Sequence, residues 1–145
     1  MTEAERAARA AAEAEAAERA RRARINELRG QLSSVEGRIS HFESILRRLT
    51  DARTSMNSYR NKLSSEVNTP VVTYFIHGIS DWEGTTADEA DSIHSEVKSA
   101  KINYALEVDK LCTDIGSGID RANSVLQGLY CQRNSILGEL RSLGA

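Results

Sequence analysis

The stretch Ile25-Asn26-Glu27-Leu28-Arg29-Gly30-Gln31-Leu32-Ser33-Ser34-Val35-Glu36-Gly37-Arg38-Ile39-Ser40-His41-Phe42 decides how this chain folds. Its apolar residues alternate three and four apart. One row runs Leu28, Val35, Phe42, Leu49, Met56 and Leu63; the other runs Ile25, Leu32, Ile39 and Leu46 before Arg53 and Arg60 interrupt it. A repeat of about 3.5 residues marks a helix that buries a narrow seam against another helix. After Leu49 the stripe drifts to Ala52, Met56, Tyr59 and Leu63, as it does when a helix relaxes toward ~3.6 residues per turn. Pro70 disfavours helical geometry at Thr69, so the helix is expected to end near Glu66 to Asn68.

Upstream, residues 2–24 are an Ala/Glu/Arg tract with strong helix propensity and no bulky apolar face. Glu5–Arg9, Glu15–Arg19 and Glu18–Arg22 stand four apart with the acid first, the favourable order for ion pairs along a helix. The tract reads either as a solvated helical extension or as the rest of the first arm, packed thinly on a neighbour.

Downstream, a second helix is predicted from about 86 to 143. Val108, Ile115, Ala122, Leu129, Ile136 and Leu143 recur every seven residues, and Val97, Tyr104, Leu111, Gly118 and Val125 supply a second row. Thr86-x-x-Glu89 fits a capping box at its start. Gly116 and Gly118 lie mid-helix, where they either admit close approach of another helix or weaken this one. The expected fold class is therefore all-α, two long antiparallel helices in a coiled-coil hairpin. Its domains are an extension over 1–24 and a hairpin over 25–145, with helices at about 25–67 and 86–143 and a connection over 68–85. The predicted seam comprises Leu28, Leu32, Val35, Ile39, Phe42, Leu46 and Leu49 of the first helix, with Val108, Leu111, Ile115, Leu129 and Ile136 of the second. Flanking residues Ile45, Ile93, Ile102, Leu106, Ile119 and Leu137 are left needing cover, which a second hairpin would supply in a four-helix bundle. If the chain reverses near Phe75, the C-terminus of the second helix lies opposite residues near Arg9.

Composition narrows the function. With 19 basic against 21 acidic residues and a net charge of −2, the chain lacks the positive excess that phosphate binding needs, so nucleic acid is not the expected partner. No run approaches the ~20 apolar residues of a membrane-spanning helix, and the N-terminus has no apolar signal core. Membrane-surface binding by residues 1–24 is also disfavoured, because six Arg are balanced by five Glu. Cys112 and Cys131 are 19 positions apart on one helix, roughly 28 Å, which predicts free thiols.

Catalysis needs converging polar groups, and the three histidines His41, His77 and His94 stand in separate segments. Asp88, Asp91 and His94 share a spacing that would put them on one helix face, but acids at a helix start are already explained by the helix dipole. Neither an enzyme nor a cofactor or metal site is expected.

The connection carries the remaining signal. Val71-Val72-Thr73-Tyr74-Phe75-Ile76 is the most hydrophobic stretch of the chain, and it is followed by the lone tryptophan in Asp81-Trp82-Glu83-Gly84-Thr85-Thr86-Ala87-Asp88-Glu89-Ala90. A helical hairpin with W-x-G at its reversal and alanine after it (Trp82, Gly84, Ala87 and, more loosely, Ala90) resembles the WXG superfamily of type VII (ESX) secretion systems. The resemblance covers roughly residues 25–143. Length and the hydrophobic stretch before the tryptophan bring it closest to the small partner proteins of LXG toxins in Gram-positive bacteria (YwqH-like). It implies a non-enzymatic protein that pairs with itself or with a helical partner, such as the N-terminal region of an LXG toxin, into an export-competent bundle. It also implies a cytoplasmic location before export and secretion without a cleaved signal peptide. Trp82, Gly84, Ala87, Tyr74 and Phe75 become the partner-binding residues. Two features depart from the family: the tract at 2–24, and the lack of a Tyr-x-x-x-Asp/Glu export signal, since Tyr104 precedes Val108 and Tyr130 precedes Asn134 at that spacing. A structural adaptor hairpin, with Trp82 merely packing the turn, is the competing class.

Overall fold

The computed structural model describes residues 1–68 and 84–145, and these form an all-α helical hairpin. Helix α1 spans Glu3–Lys62 and widens into a π-helical turn, Leu63–Asn68; helix α2 spans Thr85–Ser142. The helical path thus ends at Asn68, two residues before Pro70.

The helix ends explain the boundaries. At the start of α1 the Thr2 hydroxyl accepts the Glu5 N–H at 3.2 Å, while the Glu5 carboxylate accepts the Thr2 N–H at 2.6 Å. This is a capping box, and it takes Glu5 away from the expected pair with Arg9, which binds Glu13 instead at 3.1 Å. At the start of α2 the Gly84 carbonyl accepts the Asp88 N–H at 3.0 Å. That places Thr86 inside the first turn, so it is not the cap that the Thr86–Glu89 spacing suggested. At the other end, Ala145 N–H bonds to Leu140 C=O and Gly144 N–H to Arg141 C=O, both at 3.0 Å, with Gly144 at φ 76°. This Schellman arrangement needs a left-handed residue, which glycine supplies without strain.

Packing falls into two units. The first contains Met1–Ile45 and Ala122–Ala145, the second Leu46–Arg121. In the first, Ile25, Leu28 and Leu140 form a buried cluster against which Leu32, Ile136 and Leu143 pack. Leu28 is the most enclosed large side chain at 1% exposure. Arg24 closes the edge of this cluster with a two-pronged bond to Glu139, at 2.8 and 3.0 Å. Arg21 donates to the Leu143 carbonyl at 2.6 Å and so satisfies the end of α2. The C-terminus of α2 therefore lies at Arg21, not near Arg9 as a reversal centred on Phe75 implied. Glu3–Ala17 are exposed throughout and extend past that end, so this part of the N-terminal tract is a solvated helical arm.

Glu18 sits at the base of the arm and holds both Arg21 (2.9 Å twice) and Arg22 (3.0 Å). The hydrogen bonds from Arg21, then those from Arg22, lower its carboxyl pKa from 4.5 to about 2. A lowered carboxylate pKa gives a contribution that is complete above the unfolded value and lost as pH falls through the folded one. We therefore expect the Glu18 side-chain carboxyl resonance to titrate near 2, with fraying around Arg21 confined to that acid range. A midpoint in the ordinary glutamate range would show that the cluster does not form in solution.

In the second unit the helices are aligned by Arg60 Nε to Asp109 Oδ1 at 3.2 Å and by the close approach of Leu49 to Gly118. A Cβ at Gly118 would sit 3.4 Å from Leu49 Cδ1, whereas one at Gly116 would meet nothing within 4 Å. Of the two glycines, then, Gly118 serves close helix approach. Carried forward residue for residue, the Arg60–Asp109 alignment brings Asn68 level with Lys101. The first turns of α2, Thr85 to Ala100, consequently have no residue of α1 opposite them.

Candidate functional site

Helix α2 carries three apolar rows, and the third is left exposed at Val97, Tyr104 and Leu111. The inner row includes Val108, Ala122 and Leu129, all under 10% exposed, with Ile115, Ile136 and Leu143 half-buried. The second buried row is Ile119 (6%), Leu126 (4%) and Leu140 (7%), each four residues beyond an inner position. The row expected from the sequence lies three residues beyond instead, at Val97, Tyr104, Leu111, Gly118 and Val125. Val97, Tyr104 and Leu111 are 47%, 57% and 48% exposed, whereas Gly118 and Val125 are half-buried; Ile119, expected as an uncovered flank, is core. The alternation of four and three in Ile115, Ile119, Ala122, Leu126, Leu129, Ile136, Leu140 and Leu143, broken at Arg133, is the signal for the buried rows. Of the seam residues predicted on α1, Leu28 and Ile39 are buried and Leu32, Val35, Phe42, Leu46 and Leu49 are half-buried.

What remains uncovered is a surface within the second unit. Ile93 is 61% exposed, and it leads through Val97 to Tyr104 and Leu111 along one side of α2. Ile102 (44%) and Leu106 (62%) are exposed as well. Where this side meets α1, Met56, Tyr59, Leu63, Tyr104, Val108 and Leu111 line an open groove of about 590 Å³, with Lys62, Glu66 and Glu107 at its margin. Tyr59 on the α1 wall is 64% exposed. Large apolar side chains left exposed together in this way mark an interaction surface more often than an ordinary solvated face.

The start of α2 contains the other predicted residues. Gly84 adopts φ 80°, a left-handed conformation that side-chain-bearing residues enter only with strain. Ala87 is completely buried at 0% exposure, while Gly84, Thr85, Thr86, Asp88 and Glu89 around it are exposed. Trp82, Tyr74 and Phe75, the remaining residues of the predicted partner-binding set, lie outside the described residues, as does the 71–76 segment.

The polar groups are dispersed. Tyr130 donates its hydroxyl to Glu43 at 2.5 Å, which raises the tyrosine pKa above its ordinary value. Its ring faces the Arg133 guanidinium at 5.2 Å, and Arg133 replaces an apolar residue in the second buried row of α2. Among the described residues, no group of three His, Cys, Asp or Glu side chains is placed to hold a metal ion, and no helix is long and apolar enough to cross a membrane. Cys112 and Cys131 are free thiols, the first half-buried and the second exposed.

No family model matches this chain, and neither does any curated protein or solved structure.

Proposed function

We propose that this chain is a non-enzymatic pairing protein of a type VII (ESX) secretion pathway. It joins a second helical hairpin, its own copy or the helical N-terminal region of an LXG toxin, in a four-helix bundle that is competent for export. The observation that carries this reading is the apolar side of α2 from Ile93 to Leu111, which the hairpin's own seam leaves uncovered. A face of this kind is stabilised by another helix pair. The W-x-G-x-x-A pattern adds support, because its Gly84 and Ala87 hold positions that tolerate few other residues. Before export the protein resides in the cytoplasm, and it leaves without a cleaved signal peptide.

The test is capture of the tagged protein from its native host, alongside a Trp82→Ala variant. We expect the wild type to retain a large protein with a helical N-terminal region and a variable C-terminal domain. Trp82→Ala should lose that partner while keeping its helical circular dichroism. If the variant keeps its partner but melts at a lower temperature, Trp82 only packs the turn and the adaptor-hairpin reading replaces this one.

A further inference from the structure

The two packing units hold their helices together to very different degrees. Met1–Ile45 with Ala122–Ala145 buries Ile25, Leu28, Ile39, Leu126, Leu129 and Leu140. Among the described residues of Leu46–Arg121, the buried apolar side chains are Ala87, Val108 and Ile119. Apart from Met1, every exposed large apolar side chain among the described residues belongs to this second unit, from Tyr59 on α1 to Ile93 and Leu106 on α2. Enclosed apolar area is the main favourable term in folding, so the second unit gains much less from closing than the first.

Polar contacts repeat the contrast. In the first unit Arg21 caps the Leu143 carbonyl, Arg24 grips Glu139 with two bonds, and the Tyr130 hydroxyl donates to Glu43. In the second, Arg60 and Asp109 join across the helices as a single-pronged pair of exposed side chains, and such pairs contribute little.

The helices of the second unit are also weaker in themselves. Thr50 donates its hydroxyl back to the Leu46 carbonyl at 2.8 Å, Thr54 to the Thr50 carbonyl at 3.1 Å and Thr113 to the Asp109 carbonyl at 3.1 Å. Mid-helix bonds of this kind slightly destabilise a helix. In the first unit the corresponding bond of Ser142 sits at the last residue of α2, where it interrupts nothing. Glycine does not separate the units, since Gly30, Gly37 and Gly128 lie within the helices of one and Gly116 and Gly118 within those of the other.

We infer that Leu46–Arg121 opens as a cooperative segment of its own while the cluster of Ile25, Leu28 and Leu140 stays closed. Regions that enclose few apolar side chains open at a lower free energy than the whole chain. The opening releases Val108 and Ile119, which the closed hairpin keeps from solvent. How much apolar surface the protein shows is thereby governed by a local equilibrium, and not by unfolding of the chain. The inference concerns the chain alone and holds whether or not the secretion reading does.

The experiment is native-state hydrogen exchange on the full chain at low urea, under conditions where exchange follows the opening equilibrium. Amides of Ala52–Arg60 and Asn103–Asp114 should share one opening and exchange at least ~10-fold faster than those of Leu28–Phe42 and Leu126–Ile136. Gly37→Ala then separates the units, because an added Cβ there meets nothing within 4 Å and removes only the conformational cost of glycine. It should slow exchange in the first unit about two- to fivefold and leave the second at the wild-type rate. Gly30→Ala, equally unobstructed, should do the same. Equal exchange rates in the two units, or a slowing by either variant that extends equally into Asn103–Asp114, would mean that the hairpin opens only as a whole and would overturn the inference.

Discussion

Leu28→Ala is expected to destabilise the protein by about 2–5 kcal/mol, the range for removing most of a fully enclosed leucine from a core that cannot collapse around the gap. Leu28 is 1% exposed and belongs to the one tight cluster of the first unit, with Ile25 and Leu140. The hairpin has few residues so enclosed, because a pair of helices buries only a strip along each. For a chain of this length each kcal/mol lowers the melting temperature by roughly 2–4 °C, so thermal melting by circular dichroism will register the change clearly. Leu111→Ala is the matched control. At 48% exposure, Leu111 contributes little to the closed seam, and its truncation should leave the isolated chain within about 1 kcal/mol of wild type. Equal losses at the two positions would mean that α2 presents the other flank to α1 and that the core row is misplaced.

Ala87→Leu is the second large effect, and it acts locally. Ala87 has 0% exposure within a turn whose other residues are solvated, so the three added carbons have no room. Overpacking of that kind costs about 1–3 kcal/mol. Hydrogen exchange should therefore accelerate across the first turns of α2 while the amides from Ile115 onward keep their protection. Ala90→Leu, at a half-buried position one turn later, should be tolerated. Uniform acceleration along the whole helix would show that the start of α2 is not an independent packing site. Partner capture by Ala87→Leu should fall with the local protection, since the pairing face begins one to two turns beyond it.

Much of this architecture is legible from residue spacing, and the failures have identifiable causes. The three-four alternation from Ile25 onward marks α1 correctly, and the ends predicted for α2 fall within a residue of Thr85 and Ser142. Register was less accessible. A heptad seam fits its partner equally well after a slip of one or two turns, and particular polar contacts, such as Arg21 to the Leu143 carbonyl, Arg24 to Glu139 and Arg60 to Asp109, select among the alternatives. The choice between Leu111 and Ile119 as the buried flank was similarly balanced. Each row lies next to the inner row, and which one turns inward depends on how α2 rotates against α1. Caps were ambiguous for a third reason. Thr2-x-x-Glu5 and Thr86-x-x-Glu89 have the same pattern, but only the first lies at a helix boundary, because the Gly84 carbonyl starts α2 two residues earlier than Thr86 requires. Of the candidate site, Gly84 and Ala87 were legible as a motif. The uncovered side of α2 was not, since it arises from the offset between two helices and not from either sequence alone.

The solvated arm at Glu3–Ala17 has a consequence for anyone measuring this protein. Its helix rests on alanine propensity, short-range ion pairs and the Thr2–Glu5 cap, and helices of that length without tertiary support unravel gradually on warming. It therefore contributes ellipticity that declines steadily, well before the packed hairpin gives way. A single-transition fit will read that slope as poor cooperativity, and deleting the arm should sharpen the curve without moving its midpoint.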